Sequence, residues 1–192
     1  YMVKVQVQVQ VAVILVHKVH CFWGLGAVTS VTMGIELLLL VSRQGKVRLT
    51  KFYAEFEKKE KQRVVREVSS MVLGRAHKLC NFIEWRGKKI VYKRYASLFF
   101  VTLVDVEDNE LVTLEKIHHF VEILDKYFGN VCELDIIFNF HKAYYILDEL
   151  FIGGELQETS KRNVLKCAGA QDDLMEDDLK RETPLNRIKL KV

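Results

Sequence analysis

The sequence predicts an α+β fold in which helices flank a mostly antiparallel sheet. Three observations carry this. Hydrophobic residues make up 49% and charged residues 28% of 192 residues, enough for a real core. Strand-like alternation dominates the first half, with one helical segment inserted, and helical spacing dominates the second. Only one proline occurs, Pro184, so no Pro-rich linker divides the chain.

Ile35 to Val41 is apolar on both alternating faces, as expected of a strand in a sheet covered on both sides. Gln44-Gly45-Lys46 makes a turn into a second strand, where Val47 and Leu49 alternate with Arg48 and Thr50. That alternation places Arg48 on the face opposite Val47 and Leu49. Glu57 to Arg75 follows as a helix, with Val64, Val68, Met71 and Val72 at helical spacing and a basic outer side. Cys80–Trp85, Ile90–Arg94 and Leu98–Val106 are three further strands, the first two joined at Arg86-Gly87-Lys88. Leu114, Ile117, Val121, Leu124 and Phe128 then mark an amphipathic helix that Gly129 ends. Cys132 to Ile152 is expected to be one longer helix, apolar around much of its circumference, closed by Gly153-Gly154. A short helix from Ser160 to Cys167 completes the order.

The ends differ from the middle. Val3 to Val11 alternates Val with Lys or Gln, an exposed-strand pattern, and the uncharged stretch Cys21–Ile35 is shorter than the about 20 residues of a membrane-spanning helix. Gln171 to Asp178 is acidic, and the polar residues after it are expected to form a solvated tail. The division that follows is an N-terminal extension over 1–34, a globular domain over 35–168 and a C-terminal tail over 169–192.

Function classes narrow by exclusion. A net charge of +4 is too mild for a dedicated nucleic-acid binder. Cys21, Cys80, Cys132 and Cys167 form no CxxC pair and are expected to be reduced thiols. His118 and His119 are adjacent and so point to different sides of a helix. His17, His20 and Cys21 form a weak metal cluster, and Gly24-Leu25-Gly26 lacks the third glycine of a phosphate loop. Glu133 and Asp135, two apart on a helix, are expected to be solvated. These patterns call for no enzyme, metal or cofactor.

Four segments then share one resemblance: Ser42-Arg43-Gln44-Gly45-Lys46-Val47-Arg48-Leu49, Lys93-Arg94-Tyr95-Ala96-Ser97-Leu98, Asp108-Asn109-Glu110-Leu111, and Asn130-Val131-Cys132-Glu133-Leu134-Asp135-Ile136-Ile137-Phe138-Asn139-Phe140. From Ile35 to Lys166 the chain resembles the sigma, or small, subunit of heterotetrameric clathrin adaptor complexes. Ser42-Arg43-Gln44-Gly45 and Phe82-Ile83-Glu84-Trp85-Arg86 make it most similar to the Golgi and endosome type, adaptor complex type one. Residues 1–32 have no counterpart in that family.

The resemblance implies a longin-like fold with a five-stranded antiparallel sheet. It implies assembly with large gamma-type and beta-type adaptins and a medium mu-type subunit. Clathrin, an Arf-type small GTPase and the cytosolic face of trans-Golgi and endosomal membranes follow as indirect partners and location. It further implies binding of acidic dileucine sorting signals in cargo tails. In this sequence Ala96, Leu98, Val121, Leu134 and Ile136 would line the leucine slots, Asn130 would stand at the rim, and Arg48 would meet the acidic residue. The alternative is another longin-type trafficking module, coatomer zeta-like or a plasma-membrane-type sigma.

Overall fold

A computed structural model describes residues 34–76 and 78–189, with side chains up to residue 178. Residues 1–33 of the N-terminal extension, with the His17–His20–Cys21 cluster and the Gly24-Leu25-Gly26 loop, lie outside the described residues. The sheet comprises β1 (Leu37–Ser42), β2 (Val47–Phe52), β3 (Phe82–Trp85), β4 (Lys88–Tyr95) and β5 (Leu98–Asp105). Its strand order is β2-β1-β5-β4-β3, and every pairing is antiparallel. This is the expected α+β, five-stranded fold.

Strict alternation builds two cores. Leu37, Leu39 and Val41 of β1, with Ile90, Tyr92, Phe99, Val101 and Leu103, face α1 (Lys58–Leu73), which inserts Val64, Val68 and Val72. Leu38, Leu40, Leu49, Val91, Leu98, Phe100 and Val104 face the other way. There they meet α2 (Glu110–Phe128), α3 (Glu133–Phe138), α4 (Phe140–Leu150) and α5 (Lys161–Lys189). The apolar run of β1 is therefore buried throughout, as a strand covered on both faces must be. Glu36, just before β1, is buried but paired with Lys88 on the neighbouring β4, which satisfies the carboxylate.

α2 begins earlier than its apolar period suggests, because the Asn109 side chain accepts the Leu111 and Val112 N–H groups at its N-terminus. The expected single helix Cys132–Ile152 is two helices. At Asn139 the backbone leaves helical geometry (φ −117°, ψ 38°). Its N–H closes α3 on the Asp135 carbonyl, while its C=O accepts the first bonds of α4, from Lys142 and Ala143. The apolar residues that seemed to surround one helix thus belong to two: Ile136 points inward from α3, Ala143, Ile146, Leu147 and Leu150 from α4, and Phe138 and Phe140 remain exposed.

Gly153-Gly154 is not a helix cap. Phe151–Ile152 (β6) and Glu155–Leu156 (β7) form a two-residue-turn hairpin around it. The Gly154 carbonyl accepts the Ile35 N–H at 2.9 Å, and a Cβ on Gly154 would stand 2.1 Å from the Ile35 carbonyl oxygen, so only glycine fits. α5 also exceeds the short helix expected over Ser160–Cys167. Val164 and Ala168 enter the core, and Asp172 binds the Tyr127 hydroxyl and, at 3.1 Å, Lys142, tying residues past 168 to α2 and α4. No helix among the described residues is long and apolar enough to cross a membrane.

Candidate functional site

Three of the aliphatic residues expected to line a leucine slot are buried on the face covered by α2–α5. Leu98 opens β5, Val121 lies on the inner stripe of α2, and Ile136 on the inner side of α3; all three belong to one core cluster. Leu98 and Val121 are buried with 5% and 8% exposure, and Ile136 is fully buried.

Ala96, Asn130 and Leu134 are exposed, Leu134 to 59%. Ala96 occupies the β4–β5 turn at φ +49°, a left-handed conformation disfavoured for a side chain with a Cβ. Asn130 follows Gly129 at φ +68°, where asparagine is better tolerated. Asp125 holds that turn: its carbonyl accepts the Gly129 and Asn130 N–H groups, and its carboxylate accepts the Val131 N–H at 3.1 Å. Leu134 is presented by the first turn of α3. There the Asp135 carboxylate accepts the Cys132 N–H at 2.8 Å, which holds its carboxyl below the usual range. Asp135 is thus a cap rather than a solvated charge.

Arg48 does not project as simple alternation predicts. The β1–β2 register pairs Leu40 with Leu49 but Val41 with Val47, so Arg48 is the extra residue of a β-bulge. Leu49 enters the core beneath α2 and α4, whereas Val47 lines a groove against α1. The two therefore lie on opposite sides of the sheet. Between them, the Arg48 guanidinium donates from Nε (2.9 Å) and Nη2 (2.7 Å) to Oε1 of Glu133. Arg48, expected to meet a ligand's acidic residue, and Glu133, expected to be solvated, are one another's partners.

β2 is otherwise held from the same side. The Tyr144 hydroxyl accepts the Thr50 N–H and donates to the Thr50 carbonyl, both at 3.0 Å, and Lys51 pairs with Asp148 at 2.6 Å. Tyr144 thereby closes part of the exposed sheet edge. Two grooves of ≈ 310 and ≈ 570 Å³ lie on the opposite side of the sheet, between β2 and α1, away from Leu98, Val121 and Ile136.

Several site neighbours escaped the sequence reading. Glu133 was visible only as one of two acidic residues, and its role depends on the bulge. Val131 packs half-buried against the cluster. Tyr95 precedes the Ala96 turn, stacks on His118 with planes 6° apart and has its hydroxyl 3.1 Å from Nδ1. His119, by contrast, has its Nε2 buried without a partner. Among the described residues no group of three His, Cys, Asp or Glu side chains comes together to hold a metal. The arrangement combines buried Leu98, Val121 and Ile136, an exposed Leu134, and an Arg48 cation at the sheet edge that is paired with Glu133.

Comparison with known proteins identifies the fold's family. The family described as "Clathrin adaptor complex small chain" matches residues 34–175. The chain belongs to that family. Similar small chains come from distant organisms. AP-1 complex subunit sigma-2 of Dictyostelium discoideum is 67% identical over 144 residues, covering 75% of this chain and 94% of its own. AP-1 complex subunit sigma-2 of Arabidopsis thaliana is 66% identical over 142 residues (74% and 88%). AP-1 complex subunit sigma-1A of Homo sapiens is 57% identical over 144 residues (75% and 91%). In three dimensions the small-chain fold matches a chain of "Homology model of the full-length AP-3 complex in a stretched open conformation". The TM-score is 0.59 at 26% identity, covering 77% of this chain and 98% of that one. The small chain is thus a sigma-type adaptor subunit whose similarities run to type one.

Proposed function

We propose that this small chain is the sigma subunit of an AP-1-type clathrin adaptor that binds acidic dileucine signals in cargo tails and sorts them between the trans-Golgi network and endosomes. The observation that supports the reading is that Leu98 and Val121 share one apolar core on the side of β2 toward which Arg48 turns, with Leu134 exposed on α3 next to Glu133. Two branched ligand side chains need a dry apolar slot, and each leucine buried there contributes about 1.5–3 kcal/mol. A half-exposed Arg–carboxylate contact contributes only about 0–1 kcal/mol. The leucines therefore supply affinity and Arg48 supplies register. Ile136 becomes accessible to a ligand only if α3 shifts.

Assembly with gamma-type, beta-type and mu-type subunits is part of the same proposal. Phe138 and Phe140 are 74% and 55% exposed on the α3–α4 surface, and Leu111 and Val112 are exposed at the start of α2. Such apolar area suits subunits that cover it. Clathrin and an Arf-type GTPase would then act on the whole complex at the membrane surface. Membrane recruitment raises the effective concentration of tails that bind weakly one at a time.

Co-expression of the chain with gamma-, beta- and mu-type subunits tests this reading. A stable four-subunit complex that retains an immobilised acidic dileucine peptide, but not one with both leucines changed to alanine, is expected. A complex that ignores the dileucine pair would favour a longin-type module without this pocket.

A further inference from the structure

Glu133 occupies the position relative to Arg48 that a ligand's carboxylate would take. It lies on the strip Glu133–Ile136 that also carries Leu134 and Ile136, and it reaches across to β2 from a residue 85 positions away in sequence. Both of its bonds go to one oxygen, and among the described residues the Arg48 side chain makes no other hydrogen bond or ion pair. The pair is neither buried nor free: the side chains are 22% and 24% exposed. An incoming carboxylate can therefore reach the guanidinium, and on arrival it meets a negative charge already seated there.

We infer that Glu133 is an internal stand-in for the ligand's acidic residue, holding Arg48 at the bulge and setting how strongly the site selects for acid. This rests on the dileucine reading above. Without ligand, Glu133 neutralises a cation that would otherwise stand half-desolvated beside an apolar surface. With ligand, the acidic residue must displace Glu133 or share the guanidinium with it, and like charges around one cation repel. Recognition of the acid is thereby muted, and the leucine pair is left to dominate. Displacement also loosens the link between β2 and the first turn of α3, the strip that carries Leu134 over the slot.

The test uses assembled complexes containing unmutated chain, Glu133→Gln or Glu133→Ala, titrated with two dileucine peptides that differ only in Glu or Gln at the acidic position. Glu133 sits exposed enough at a helix start for both variants to fold. The acidic peptide is expected to bind each variant about fivefold more tightly than the unmutated complex, while the Gln peptide stays within about twofold. In an Arg48→Ser background the Glu133 changes should leave the ratio between the two peptides unmoved. An unchanged or weakened acidic peptide, or equal tightening of both peptides, overturns the inference while leaving the dileucine reading intact. Failure of the unmutated complex to bind either peptide overturns both.

Discussion

Arg48 and Glu133 form a bidentate-donor contact on a single carboxylate oxygen, at 2.9 and 2.7 Å, between an edge strand and a six-residue helix. The contact exists because the β1–β2 register slips by one residue at Arg48. Without that bulge, Arg48 would point with Thr50 and Phe52 toward α1. The bulge turns the cation toward the side of the sheet that carries Leu98 and Val121.

The edge of the same strand yields a stability prediction. Tyr144→Phe removes the one hydroxyl that serves both the N–H and the C=O of Thr50. The change should cost about 1–2 kcal/mol of stability. Hydrogen exchange should show the Thr50 amide losing protection more than amides in β5. Unchanged protection at Thr50 would mean that water replaces the hydroxyl without loss.

The turn at Ala96 holds a strained backbone, at φ +49°. Ala96→Gly should leave the fold intact or stabilise it by up to about 1 kcal/mol, and Ala96→Val should destabilise it. Thermal melts of assembled complexes measure both. If glycine instead weakens dileucine-peptide binding while raising stability, the Ala96 methyl touches the ligand.

How much of this was legible in the sequence follows from which features are local. The β1 run Leu37–Val41, the β3–β4 turn at Arg86-Gly87 and the α2 stripe announce themselves, because burial on one or both faces imposes their period. The break at Asn139 does not. Two short helices with different inward faces, placed end to end, mimic one helix that is apolar all round. The Gly153-Gly154 pair suits a helix end as well as a hairpin, and only the approach of Ile35 decides between them. The bulge depends on pairing with β1 and leaves the Val47-Arg48-Leu49 alternation looking regular. The residue-by-residue family resemblance is what proposes the slot; the Glu133 contact required the fold.

A pH dependence follows from His119. Burial, and then the nearby Lys161, hold its pKa below the usual histidine value, with Glu122 and Glu115 opposing and His118 adding to the depression. The folded state therefore favours neutral His119. The stability this contributes is fully present above the unfolded pKa, about 6.5, and is lost as the pH falls through the depressed folded value. Melting temperature should drop on acidification below about pH 6.5, and His119→Gln should flatten that drop. A variant whose pH profile parallels the unmutated one would place the effect elsewhere.

The most direct test of the central claim is a titration of one acidic dileucine peptide against three assembled complexes: unmutated, Val121→Asp and Leu134→Ser. Val121→Asp places a carboxylate in the apolar floor, where an unpaired charge is costly. Leu134 is exposed, so Leu134→Ser should assemble and melt normally, within about 0.5 kcal/mol. Both variants should lose the dileucine peptide while still assembling with the gamma-, beta- and mu-type subunits, which would mark the rest of the complex as intact. If both assemble and bind the dileucine peptide at full strength, these residues are core and surface packing alone, and the site lies elsewhere.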